Sequence, residues 1–274
     1  ILDPLLMFTF GWGVAGAAAA TAISQTIAAL VYLYLLKRRN LILLTKKPKV
    51  LAADTLDKSQ IAKTILFANV AMLAKQFSLL LAWTYATFCA TRLGPIHVAT
   101  HQVAVSLWLV LTLLWMDGTT VAAQVLTTSA LNRGKAVIAS LTKFMMQLSL
   151  VQGCFASLSW YIVTRAAPSI FTSDPQIKSM LSSLLPKLSW MQILISVALV
   201  IEGMAVGGQY FTLLGFGTSI ASVLSYKALQ ASNTLPQIWN RGIVTLFAGR
   251  LVTSILGVAH MNGWLRRSKE ITQS

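Results

Sequence analysis

Seven apolar stretches, separated by short polar or charged segments, account for most of the chain. They cover about 4–36, 64–91, 96–131, 144–164, 184–207, 211–231 and 236–258, and are called segments A to G. A membrane-crossing helix needs about 20 apolar residues, and each stretch meets or exceeds that length. Within a bilayer every backbone amide and carbonyl must be paired inside the segment, so the pattern predicts an all-α, polytopic bundle of seven transmembrane helices. Two interruptions stand out. Gly11-Trp12-Gly13 is a candidate break in segment A, and Pro186 in segment E removes a backbone donor and predicts a kink. Small residues one turn apart, at Gly16 and Ala20 and again at Gly203 and Gly207, predict close helix–helix packing.

Composition supports the membrane reading. Hydrophobic residues make up 56% of the chain and charged residues 11%, with a mean hydropathy of +0.70. Soluble domains carry about 25% charged residues. The net charge of +15 is spread over the segments between apolar stretches, which is not the footprint of a nucleic-acid-binding face. Segments 37–63, 132–143 and 264–274 together hold 14 basic residues, and the opposite set of loops holds six. The positive-inside rule therefore places the first set, with the C-terminus, on the cytoplasmic or stromal side. Cys89 and Cys154 lie in apolar segments and read as small core residues. The chain begins with Ile1, inside an apolar run, and reads as a piece of something longer.

Chemistry narrows to a few positions. Of seven acids, only Asp117, in segment C, and Glu202, in segment E, fall deep within apolar runs. A carboxylate at the bilayer centre costs about 2.5–3.5 kcal/mol even on lenient scales, so it is seldom retained without a use. A carboxyl that is neutral in one conformation and ionised in another carries a proton, or offers its oxygens to a sodium ion. The structural alternative is an acid paired with Lys75 or Arg250. Arg250 reads as a side chain snorkelling from the inner end of segment G, whereas Lys75 lies too deep for that and reads as a counter-charge or a contact for an anionic substrate. Gln102 and Gln124 are candidate cavity-lining groups, and the tryptophans read mainly as interface anchors. His97 and His101 stand one turn apart but lack companion ligands, so they read as polar caps and no metal site is expected. Neither a phosphate-binding glycine loop nor a nucleophile motif occurs, and an enzyme is not expected.

At segment C the residues take on a family character. Ala99-Thr100-His101-Gln102-Val103-Ala104-Val105-Ser106-Leu107-Trp108, with Val121-Ala122-Ala123-Gln124, resembles the eighth helix of the multidrug and toxic compound extrusion (MATE) transporters. Ile1 to Leu6 with Gly11 to Ala18 is similar to the family's entry into helix six. Ile201-Glu202-Gly203 with Gly207-Gly208-Gln209 looks like the helix-ten motif of the plastid-type branch, and Leu235-Pro236, Trp239, Phe247 and Arg250 resemble its final helix. The resemblance implies two six-helix lobes around a central cavity, of which this chain holds helices six to twelve. Residues 1–36 are then the last helix of the first lobe, 37–63 a basic inter-lobe loop, 64–258 the second lobe, and 259–274 a basic tail.

The implied function is secondary antiport, exporting small organic compounds, whether organic cations or organic acids, in exchange for H⁺ or Na⁺. No cofactor beyond the coupling ion is expected. Asp117 and Glu202 carry over as ion-coupling candidates, and Lys75, Gln102 and Gln124 as cavity residues. The acid that many eukaryotic members hold in helix seven is missing, with Lys75 in that helix instead. The implied partners are the lipid bilayer, the substrate and the absent first lobe of the same transporter. The plastid envelope is implied by the branch, with the plasma or vacuolar membrane as the alternatives. A channel, a non-transporting membrane subunit and an inactive truncated product are the rival readings.

Overall fold

A glycine pair sets the first turn of the structure. Gly11 and Gly13 take φ of +69° and +53°, a left-handed geometry that glycine adopts without steric cost. They separate a short N-terminal stretch, Leu2–Pro4 continuing as a π-helix over Leu5–Thr9, from helix α1, Gly13–Arg38. The computed structural model describes residues 2–39, 58–166 and 172–263, and contains no strand among them. Two units are present, Ile1–Ile61 and Ala62–Ser274. Within the first, a β-carbon on Gly16 would lie 2.7 Å from the carbonyl oxygen of Leu6, so this glycine permits the N-terminal stretch to fold back on α1. The charged positions at 40–57 and 264–274, which carry much of the orientation argument, lie outside the described residues.

The remaining helices are α2, Lys58–Arg92; α3, Pro95–Trp115; α4, Asp117–Ala130; α5, Lys135–Ala166; α6, Pro175–Leu188; α7, Met191–Gly207; α8, Phe211–Gln230; and α9, Val244–Met261. A short turn, Leu235–Gln237, and a π-helix, Ile238–Ile243, lead into α9. Among the described residues, four spans are individually long and apolar enough to cross a bilayer: Gly13–Arg38, Ala62–Arg92, Lys135–Ile162 and Leu235–Met261. Pro175–Pro186 and Met191–Gly207 reach that length and apolarity only together, as a pair bent by 62°. These are the helices of an integral membrane protein.

Several boundaries differ from the sequence reading, each for a physical reason. Segment C is not one helix, because Met116, at φ −111° and ψ −29°, separates α3 from α4. Segment E begins earlier than expected. Asp174 caps α6 by accepting from the amides of Gln176 and Ile177 at 2.8 and 3.4 Å, and Pro175 occupies the first turn, where its missing N–H has no partner to lose. The polar residues Gln176, Lys178 and Ser179 hide this helix from a search for apolar runs. Segment D likewise starts at Lys135, ahead of the expected 144.

The core of the second unit is aromatic and sits where α2, α3, α5, α6 and the start of the last span meet. Trp108, Trp160 and Trp239 are fully buried there, against the expectation that tryptophans would anchor at the interface. Trp108 is the hub, with ring centroids 5.3 Å from Trp239, 5.7 Å from Phe247 and 6.3 Å from Trp160. Such aromatic pairs add about 0.5–1.5 kcal/mol each beyond simple burial. Trp160 Nε1 also donates to the Leu185 carbonyl at 2.6 Å. That carbonyl is left over because the Ser189 amide bonds Pro186 instead. Cys89 is buried as expected, whereas Cys154 is exposed.

Helix α7 lies at the centre of the other half, packed on α4, α5 and α9. A β-carbon on Gly203 would come within 2.4 Å of the Thr120 carbonyl oxygen, and one on Gly207 within 2.3 Å of that of Gln124. The glycine pair thus brings the backbones of α4 and α7 together, as the spacing predicts. Thr128 Oγ1 donates to the Gly207 carbonyl at 3.1 Å, and Ser196 Oγ to that of Ser149 at 2.8 Å, tying α7 to α4 and α5.

Candidate functional site

The close packing of α7 fixes the position of its one acid. Glu202 lies on the same helix face as the core residues Ala198 and Ala205, and its side chain is only 8% exposed. An ionised carboxylate there needs partners. Two are present, one from α2 and one from α9. Arg250 places both Nε and Nη2 on Glu202 Oε2, at 3.0 and 2.9 Å. The ammonium of Lys75 pairs with the other oxygen, Oε1. Each carboxylate oxygen is therefore committed to a different cation.

Arg250 is held in turn by its surroundings. Its guanidinium lies 4.9 Å from the centroid of the Phe247 ring, one turn earlier on α9. The cluster contains two cations and one anion, a net charge of +1, with side chains 8–13% exposed. No other ion pair is found among the described residues. The expectation that Arg250 snorkels to the interface is thus corrected: the residue is buried, because Glu202 offers a partner at its own depth. The alternative pairing of an acid with Lys75 or Arg250 is realised with both at once.

Asp117 is placed quite differently. The break at Met116 makes it the first residue of α4, where it is exposed, and no hydrogen bond or ion pair involves it among the described residues. It is therefore not buried within a continuous helix, as the apolar run suggested. A carboxylate at a helix N-terminus is favoured by the four unpaired amides of the first turn and by the helix dipole. Gln102 and Gln124 are exposed on α3 and α4. Among the described residues, no hydrogen bond or ion pair links any of these three to the Lys75–Glu202–Arg250 cluster.

Two features escaped the sequence reading. His101 is not a polar cap: it is fully buried, its ring centroid 5.5 Å from that of Trp239, and both ring nitrogens lack a partner among the described residues. A cavity of about 270 Å³ also lies between α2 and α8, lined by Ser78, Leu81, Ala82, Ser219, Ser222 and Tyr226. Ser78 follows Lys75 by three residues, so the two share a face of α2. The Ser78 and Ser219 hydroxyls lie 3.0 Å apart, and Ser219 Oγ also lies 2.9 Å from the Gly215 carbonyl oxygen, to which it donates. The serines on α8 were the available signal, but hydroxyls are common in membrane helices and point to no site unaided.

No protein-family model matches the chain. It is 30% identical over 256 residues to Protein DETOXIFICATION 44, chloroplastic, from Arabidopsis thaliana, covering 92% of this chain and 47% of that protein. The chain spans about half the length of the curated relatives it matches. Among solved structures, a MATE transporter crystallised in complex with MaD3S superposes with a TM-score of 0.71 at 20% identity, covering 97% of this chain and 60% of that one. A MOP superfamily transporter from Pyrococcus furiosus, described as having a binding pocket of reverse polarity, superposes with a TM-score of 0.68 at 21% identity, covering 98% and 60%. The chain is thus a relative of the plant DETOXIFICATION proteins and has the all-helical fold of the MATE transporters.

Proposed function

We propose that the chain is part of a secondary active antiporter that exports small organic compounds in exchange for H⁺ or Na⁺. The observation that carries this reading is the charged cluster of Lys75, Glu202 and Arg250, with Lys75 and Arg250 on spans long enough to cross a membrane and Glu202, on the apolar helix α7, paired with both. Ionisable residues at that depth mark ion and substrate pathways, since a purely structural role is met at lower cost by apolar packing. The relatives point the same way by name. Alternating access supplies the mechanism, with two lobes rocking about a site near the midplane. The first lobe would come from sequence beyond this chain, since its relatives are about twice as long.

Glu202 and Asp117 are the proposed ion-coupling residues, and Lys75, Gln102 and Gln124 the proposed cavity residues. Glu202 would exchange partners between conformations, while Asp117, exposed at the start of α4, would meet the ion there. The net charge of +1 in the cluster favours organic acids over organic cations as cargo. The chloroplastic relative supports a plastid membrane as the location.

Proteoliposomes carrying the full-length protein test this. Loaded with radiolabelled organic acids or organic cations, they should release label when an H⁺ or Na⁺ gradient is imposed, and release should saturate with substrate. Glu202→Gln should uncouple release from the gradient. Unsaturable flux independent of any gradient would overturn the reading.

A further inference from the structure

The cation place at Glu202 is filled from within the chain. The atoms on its two oxygens are all nitrogens: Nε and Nη2 of Arg250 on Oε2, at 3.0 and 2.9 Å, and Nζ of Lys75 on Oε1. A hard cation such as sodium is held by a shell of oxygen ligands, and here the nearest groups are cationic donors. The net charge of +1 repels a further cation, and the 8–13% exposure of the three side chains leaves little water to screen that repulsion.

We infer that Lys75 is a tethered counter-cation that occupies the Glu202 site and closes it to Na⁺. This rests on the reading of Glu202 as a coupling residue and deepens it, because it removes sodium from the two coupling ions at this position. Lys75 and Arg250 do not play the same part. Arg250 is fixed by its two bonds to one oxygen and by the Phe247 ring, whereas Lys75 reaches the other oxygen through a flexible stem. Lys75 is therefore the specificity-determining residue, and its charge sets which ions the site accepts.

The test is equilibrium binding of ²²Na⁺ to the purified protein in detergent, which requires no transport. Wild type and Lys75→Arg should show no saturable binding that Glu202→Gln removes. Lys75→Glu turns the cluster net charge from +1 to −1 and places a second oxygen donor at the site. It should bind Na⁺ at least tenfold more tightly than wild type, and adding Glu202→Gln to it should abolish that gain.

Saturable Na⁺ binding by wild type that is lost in Glu202→Gln would overturn the inference, as would a folded, monodisperse Lys75→Glu without binding. Should Lys75→Glu fail to fold, the wild-type and Glu202→Gln measurements still decide. Binding and export are read separately, so a Na⁺-binding wild type leaves export standing, and failed export in proteoliposomes leaves the binding result intact.

Discussion

Replacing Glu202 with Gln tests whether the charged cluster is as tightly coupled as its geometry requires. The change is nearly isosteric, so packing of α7 against α4 and α9 is preserved and the perturbation is electrostatic. It removes the anion that both Lys75 and Arg250 contact, and leaves two cations facing one neutral amide. At a separation of about 5 Å and an effective dielectric constant of about 20, their mutual repulsion is about 3 kcal/mol. That repulsion is present in both proteins; what the variant loses is the attraction that offset it, and removing one partner of a buried ion pair costs about 3–5 kcal/mol. For a domain of this size each kcal/mol moves Tm by about 2–4 °C, which predicts a fall of about 6–20 °C. Thermal unfolding of the purified protein in one detergent, followed by tryptophan fluorescence or size-exclusion recovery, measures it. The double variant Lys75→Met/Glu202→Gln should regain part of the loss, because it removes one of the two repelling charges. A Glu202→Gln protein within about 1 °C of wild type would refute the reasoning, as would a double variant less stable than the single one.

Three further outcomes follow from contacts elsewhere. Gly203→Val should destabilise by about 1–3 kcal/mol or more, because its first added carbon meets the Thr120 carbonyl oxygen at 2.4 Å and backbone must move; the same unfolding assay reads it. Trp160→Phe should lose about 1–3 kcal/mol, since the Leu185 carbonyl is left buried without a donor, and a Tm equal to wild type would count against that bond. Asp117→Asn should leave stability within about 0.5 kcal/mol, because the exposed carboxylate has no partner among the described residues, and should slow gradient-driven export if Asp117 couples ions. Undiminished export by a folded Asp117→Asn protein would remove that residue from the mechanism.

The helices were largely legible because a bilayer leaves few choices: a long apolar run between charged segments has to be helical. Breaks were legible only where a residue forces them. Gly11 and Gly13 announced theirs, and Pro186 lies in the bent region it predicted. The break at Met116 has no such residue, and its one cue was Asp117-Gly118, an acid where a new helix starts. Taking Asp117 for a buried site concealed that cue, since one residue then seemed explained by function alone. The polar helix α6 was hidden for the opposite reason: capped by Asp174 and Pro175, it lacks an apolar run to detect.

Pairing was the harder matter. Lys75, Glu202 and Arg250 were each conspicuous as charges in apolar helices, yet Glu202 and Arg250 are 48 residues apart in sequence and Lys75 is farther still. Sequence gives the cost of each charge separately, and that cost made Arg250 look like a snorkelling residue. Only the crossing of α2, α7 and α9 shows that the costs offset one another. The result bears on function more than stability. A buried ion cluster replaced by apolar side chains of similar volume often leaves a protein as stable or more so. Packing alone therefore gives little reason to keep three charges where Ala198, Ala205 and Phe247 already supply an apolar surround. An excess of one positive charge gives still less, because a structural cluster is best neutral. A site that must hold, and then release, a negatively charged partner has use for that excess, which is why the cluster is proposed to favour organic acids.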